Sequence, residues 1–362
     1  MSIKDEQRLE AKTFEDADSD QPIPPIDIVA YNELRSCADL VRMKSSGKLE
    51  LQPDFQRDVV WKLDDQSRFI DSLVKQLPIP SMCFSLDYKT QTWKVIDGLQ
   101  RMSSIVKFLS DADWRLSELA DIHPALQGKR NSDLRKGTED EKRLYTRVED
   151  ISVPITVIRC DYSQRSHMLY LFTIFHRLNS GGMRLTNQEI RNCIYSGTFN
   201  AALKAFDATD VNWKQVKKQI WGSMDRFRSV EVVLRVLAFG DRRNDYDGNL
   251  AKFLNSYMHE RMRADEVTDS LTLVLQLIAA KAKIVLASAT PKKLPLMIIE
   301  ALLVGLYVHR ESLAGRSDSE LIKAFKKMIQ LDTFTDGARY AVSSEANVKE
   351  RLDAAVAAFA AE

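Results

Sequence analysis

The chain has 362 residues, enough to bury a sizeable core and to divide into two domains. Hydrophobic residues make up 44% and charged residues 28%, ordinary for a globular protein, and 52 basic against 51 acidic side chains leave a net charge of +1. That balance excludes a global electrostatic hold on nucleic acid, so any DNA contact needs a local patch, and four scattered cysteines exclude a disulfide scaffold or a zinc ribbon.

Cys37, Cys83, Cys160 and Cys193 read as reduced, buried thiols; with no apolar run of membrane-spanning length and no signal-peptide layout, the expectation is a cytoplasmic protein with no membrane partner. Residues 1 to 25 are polar, mostly acidic and end in Pro22, Pro24 and Pro25. Such a segment cannot bury enough apolar surface to offset its ordering entropy, so a flexible N-terminal segment is expected there. From Tyr31 to Arg42, Leu34, Ala38 and Val41 keep a helical period, and a second helix is expected from about Asp64 to Gln76, stopped by Pro78. Met82, Phe84 and Leu86 alternate as a strand that turns into a second strand at Trp93, Val95 and Ile96. Met102, Ile105, Val106 and Leu109 then recur on one helical face.

Residues 110 to 150 are charged and weakly periodic. They read either as a solvated helix-loop segment or as an insertion able to touch a nucleic-acid backbone. Ile151 to Cys160 regains strand character, with Pro154 suggesting an edge position. Leu169, Phe172, Phe175 and Leu178 mark a helix ending at Asn179, and Thr186 with Glu189 forms a capping box for a helix starting near Asn187. From Tyr195 onward nearly everything is helical: 230–239, 250–262, 271–286, 294–308, 321–329 and 348–361, an α-bundle without repeats. The expected division is 1–25, a mixed-sheet domain over 26–192 and a helical domain over 193–362, an α+β protein overall.

The chemistry concentrates where the Trp93 strand meets its helix, at Asp97-Gly98-Leu99-Gln100-Arg101. Free NH groups and the positive end of the helix dipole attract anions there, Gly98 lets the backbone come close, and Arg101 offers a fork of donors matched to phosphate. In the functional reading Asp97 holds a Mg²⁺ or orients a water, Gln100 positions that water, and Arg101 with Arg57 clamps phosphate oxygens. In the structural reading Asp97 caps the helix, Gln100 is exposed, and Arg101 pairs with Asp97 or Asp58.

Further motifs stand in order around this junction: Pro53-Asp54-Phe55-Gln56-Arg57, then Pro78-Ile79-Pro80, then the junction, then Arg177-Leu178-Asn179 through Gly182, Leu185, Thr186, Glu189, Ile190 and Arg191. Together they resemble the N-terminal domain family of GmrSD-type restriction systems, whose core is similar to the ParB/sulfiredoxin nucleotide-binding fold. Leu99 departs from the pattern, standing where relatives carry the first Gln of D-G-Q-Q-R. The resemblance implies a prokaryotic anti-phage defence protein and a nucleoside triphosphate as cofactor. It places Gln56, Arg57, Gly98, Arg101, Arg177 and Asn179 near the nucleotide, with Asp97, Gln100 and Arg101 as the candidates for hydrolysis.

Other chemistries fail on spacing. No G-x-x-x-x-G-K-[ST] occurs; a calcium loop aligned on Gly248 would put Arg243 and Leu254 at positions that require carboxylates; the five histidines form no tight metal pair. No nuclease motif appears, so a separate nuclease subunit is the expected partner. Lys214, Lys217, Lys218, Arg226 and Arg228, interleaved with Trp213, Trp221 and Phe227, are the best DNA patch, though the reading of the same residues as helix faces with aromatics packed inward is the stronger of the two. The first hypothesis is a nucleotide-binding regulator that controls a nuclease or senses DNA. The second is a non-catalytic DNA-binding or adaptor protein, and direct phosphodiester cleavage stands third.

Overall fold

The computed structural model describes residues 25–51, 61–110, 113–178, 185–220, 227–262, 268–289, 294–334 and 344–360. Residues 1–24, Gln56, Arg57, Asn179 and Arg226 lie outside the described residues. The chain divides into two compact units, with the boundary between Leu185 and Thr186.

The first unit, Pro22–Leu185, is built on a five-stranded sheet. Its elements are β1 (Val29–Ser36), α1 (Cys37–Ser45), β2 (Leu49–Glu50), α2 (Leu63–Val74), β3 (Met82–Asp87), β4 (Trp93–Asp97), α3 (Leu99–Leu109), α4 (Asn131–Lys136), α5 (Glu139–Asp150), β5 (Ser152–Cys160) and α6 (Arg165–Leu178). The strand order is β1-β5-β3-β4-β2, with β1 antiparallel to β5, β5 parallel to β3, β3 antiparallel to β4, and β4 parallel to β2. Met82, Phe84, Leu86, Val95, Val153, Ile155 and Val157 point to one face and form a core with Leu40, Ile70, Leu73, Met102, Ile105 and Phe108 of the helices. The alternation along β3 and β5 sends Cys83, Ser85, Thr156 and Ile158 to the other face, where α6 packs against β4.

Three expectations need correction. Tyr31–Ser36 is strand, not helix: Leu34 is 71% exposed on β1, and the helix begins at Cys37, after Ser36 accepts the Asp39 amide at 3.2 Å as N-cap. Pro154 is not on an edge, because β5 lies between β1 and β3. Pairing with β3 starts at Ile155, so at Pro154 that ladder has not begun and no bond on that side is lost. The charged stretch after α3 is packed rather than inserted into solvent, with Leu134, Leu144, Tyr145 and Val148 of α4 and α5 buried in the core.

The second unit runs from Thr186 to the C-terminus and is helical throughout its described residues. It contains α7 (Asn187–Ile194), α8 (Thr198–Thr209), α9 (Val211–Ile220), α10 (Arg228–Arg242), α11 (Leu250–Arg261), α12 (Thr268–Ala287), α13 (Leu296–Val308), α14 (Arg310–Leu313), α15 (Asp318–Met328) and α16 (Glu345–Phe359). α13 is buried from Met297 to Tyr307, and Gly240 and Gly305 let Tyr307 and Phe359 close on the backbone, with no room for a Cβ. The stretch Ser270–Ala287 is, contrary to the sequence reading, long and apolar enough to cross a membrane by length and composition. It packs against α8, α9, α13 and α15, and its two lysines are tied: Lys281 to Asp318 at 2.8 Å and Lys283 to Asn212 at 3.2 Å.

Candidate functional site

The β4–α3 junction brings four of the predicted residues together. Gly98 is the N-cap of α3 with φ +93°, a left-handed conformation that glycine adopts without strain, and no side chain among the described residues caps the helix. A Cβ on Gly98 would lie 2.5 Å from Met82 Cγ, so the close approach this glycine permits is to the β3 side chain beneath it. Asp97 does not cap the helix. A register shift between Cys83 and Phe84 pairs Asp97 with Cys83 while Val95 faces the core, the kind of bulge that re-aims a side chain.

Arg101 is held on two sides. Its Nη2 donates to Asp97 Oδ2 at 2.9 Å and its Nη1 donates to the Pro80 carbonyl, so the Pro78-Ile79-Pro80 motif serves to orient this guanidinium. Burial pulls the Arg101 pKa down and the Asp97 carboxylate offsets part of that, which leaves the group a cation. The Asp97 side chain remains 39% exposed against 14% for Arg101, and Asp97 Oδ1 has no partner among the described residues. The pair is therefore open on its carboxylate side. Gln100 Oε1 accepts the Trp61 amide at 3.2 Å, which ties the chain following the Gln56–Arg57 motif to the first turn of α3. Leu99 is half-buried and packs on the core, so its side chain is spent on folding.

Arg177 is exposed in the last turn of α6. The rest of that motif is structural: Thr186 and Glu189 exchange capping hydrogen bonds at 2.6 and 3.2 Å. Arg191 is buried in the helical unit against Glu231 at 3.0 Å, Asn255 at 2.9 Å and Gln188 at 3.2 Å. Among the described residues no three His, Cys, Asp or Glu side chains converge, so a Mg²⁺ at Asp97 would draw its other ligands from phosphate oxygens and water. Of the DNA candidates, Lys214, Lys218 and Arg228 are exposed, whereas Lys217 is bound to Asp207 at 2.9 Å and Trp213 is buried with its Nε1 donating to the same Asp207 at 2.7 Å.

Sequence spacing could not reveal a polar row on the open face of the sheet. Ser81 Oγ lies 3.0 Å from Thr156 Oγ1, which donates to Asn32 Oδ1 at 2.8 Å, although Thr156 and Asn32 are 124 positions apart. The one visible signal is Thr156, a hydroxyl among apolar residues in the strand expected at Ile151 to Cys160, whereas Asn32 falls in a stretch expected to be helical.

A mixed sheet whose β4–α3 turn presents an uncapped helix end, an oriented guanidinium and a half-open carboxylate defines a small α+β domain with an anion-receptive junction, joined in one chain to an all-helical unit. Residues 37–196, less than half of the chain, match the family model of the GmrSD restriction endonuclease, N-terminal domain, and it is to that domain that this stretch is similar. The match ends inside the helical unit, just past α7. No curated protein and no solved structure gives a significant match.

Proposed function

We propose that the chain binds a nucleoside triphosphate at the β4–α3 junction and that the bound state regulates the restriction of DNA by a separate nuclease. The observation that carries this reading is the pairing of an uncapped α3 N-terminus with Arg101, fixed by Asp97 and the Pro80 carbonyl. In this reading the α3 amides and Arg101 receive phosphate oxygens, and Arg57 and Arg177 add charge from the flanking motifs. Asp97, through its unshared oxygen, holds a Mg²⁺ that neutralises phosphate charge. Hydrolysis asks for more than binding, since a water must be positioned in line with the scissile bond.

Two observations favour a second reading, binding without turnover. Gln100 already accepts the Trp61 amide, and Leu99 is packed where relatives carry an amide. A non-catalytic adaptor would use the exposed Lys214, Lys218 and Arg228 for DNA. A panel of nucleoside triphosphates with Mg²⁺, read for phosphate release in the wild type and in Asp97→Asn, separates the two. Release that disappears in Asp97→Asn supports hydrolysis; nucleotide binding with no release supports the adaptor; loss of intact DNA in the same mixtures would show direct cleavage instead.

A further inference from the structure

The register of the sheet lines up Asn32 of β1, Thr156 of β5, Cys83 of β3 and Asp97 of β4: Asn32 pairs with Thr156, Thr156 with Cys83, and Cys83 with Asp97. Strand alternation puts Asn32, Thr156 and Cys83 on the face opposite the core, and the register shift between Cys83 and Phe84 brings Asp97 beside Cys83, so the four form one row across four strands. Three strand spacings of about 4.8 Å make the row about 14 Å long, a span that an extended nucleotide covers. Asp97 and Arg101 stand at one end. At the other, Asn32 is exposed and Thr156 half-exposed, while Ile155 and Val157 on either side of Thr156 are fully buried on the core face. Two residues further along β5, Ile158 is covered, and Cys83 in the middle of the row is 7% exposed, so the row is open at its Asn32–Thr156 end and at Asp97.

The polar groups are already ordered. Ser81 and Thr156 are within hydrogen-bond distance, Thr156 donates to the Asn32 carbonyl oxygen, and this fixes the Asn32 amide so that its Nδ2 has no partner among the described residues. Leu34, 71% exposed, and Pro154 face each other across the β1–β5 pair on the same side as Asn32 and Thr156, an apolar edge next to an oriented donor. An oriented amide beside an apolar surface, at nucleotide distance from an anion-receptive junction, suits a base: the amide reads its polar edge and the apolar pair covers its face.

We infer that this row is the floor of the nucleotide site, with the phosphates at Asp97 and Arg101, and that Asn32, supported by Thr156, reads the base and sets its preference. The inference rests on the nucleotide-binding reading above. It also assigns a role to β1, which lies before the stretch matched by the family model.

The full chain is titrated with four nucleoside triphosphates and, separately, with inorganic tripolyphosphate, for the wild type, Asn32→Ala and Thr156→Val. The expected result is that both variants lose about tenfold in nucleotide affinity, as for loss of one oriented hydrogen bond or its support, that Asn32→Ala also loses the base preference, and that tripolyphosphate binding is unchanged. The unchanged tripolyphosphate affinity, with an unchanged melting temperature, shows that the variants fold. If the wild type binds nucleotides and Asn32→Ala binds each one as tightly with the same preference, the base-reading role is overturned and the nucleotide reading survives. If the wild type binds neither nucleotides nor tripolyphosphate, the nucleotide reading falls and this inference with it.

Discussion

Gly98 couples folding to the site more tightly than any other single residue. Its φ of +93° and the Met82 Cγ that a Cβ would meet at 2.5 Å act together, so Gly98→Ala must both strain the backbone and displace a core side chain. A loss of roughly 2–4 kcal/mol is expected from the sum of left-handed strain and overpacking, read as a shift in the urea unfolding midpoint. A shift within the scatter of surface substitutions would mean that the turn is not needed. The thiols make a second residue-scale prediction. Burial pushes Cys37, Cys83 and Cys160 up to about 12, with the Asp97 charge adding to Cys83, so all three stay protonated at neutral pH. In the native protein at pH 7 they should resist alkylation and react on unfolding; rapid native labelling of Cys83 would contradict the burial on which its neighbours depend.

At the scale of elements, α10 carries the ion pairs that hold the helical unit together. Glu231 bridges Arg191 of α7 and Arg235 on its own helix, at 3.0 and 2.5 Å, and Arg235 reaches Glu300 of α13 at 3.6 Å. Burial alone would raise the Glu231 carboxyl; Arg235 and Arg191 outweigh it and hold the group below its ordinary value of 4.5. A depressed carboxylate contributes stability above its unfolded pKa and loses it as pH falls through the folded one. Unfolding free energy should therefore decline on acidification below about pH 4.5. Glu231→Gln should cost roughly 3 kcal/mol at pH 7 by removing the buried charge that Arg191 and Arg235 share and should weaken that decline. An unchanged pH profile in the variant would mean that other carboxylates govern acid stability.

Local signals made much of this legible. The capping box at Thr186 and Glu189, the 3.6-residue periods of α10 to α13 and the strand-helix turn at Gly98 need no distant partner to be read. β1 was hidden because Leu34, Ala38 and Val41 happen to keep a helical spacing, while what makes Val29–Ser36 a strand is its pairing with β5, 120 or so positions away. The role of Arg191 was hidden for a similar reason: its partners Glu231 and Asn255 arrive from later helices. In the described part of its motif, Thr186 and Glu189 cap a helix and Arg191 holds the helical unit.

For the whole molecule, a net charge of +1 means that any DNA affinity resides in a few exposed cations and falls steeply with salt. Lys214→Glu with Lys218→Glu should abolish retention of duplex DNA at low salt, whereas Lys217→Ala, which removes the partner of Asp207, should lower stability and leave DNA retention intact. Equal retention by the double variant and the wild type would remove these lysines from DNA contact. The central claim concerns the other unit and is tested most directly by calorimetric titration of the full chain with nucleoside triphosphates, wild type against Arg101→Ala and Arg101→Lys. The account predicts saturable binding by the wild type, weakened about 10- to 100-fold when the charge-assisted bonds are lost in Arg101→Ala, with partial recovery in Arg101→Lys. Wild-type protein that takes up no triphosphate, or an Arg101→Ala variant that is folded and binds as tightly as the wild type, would contradict it.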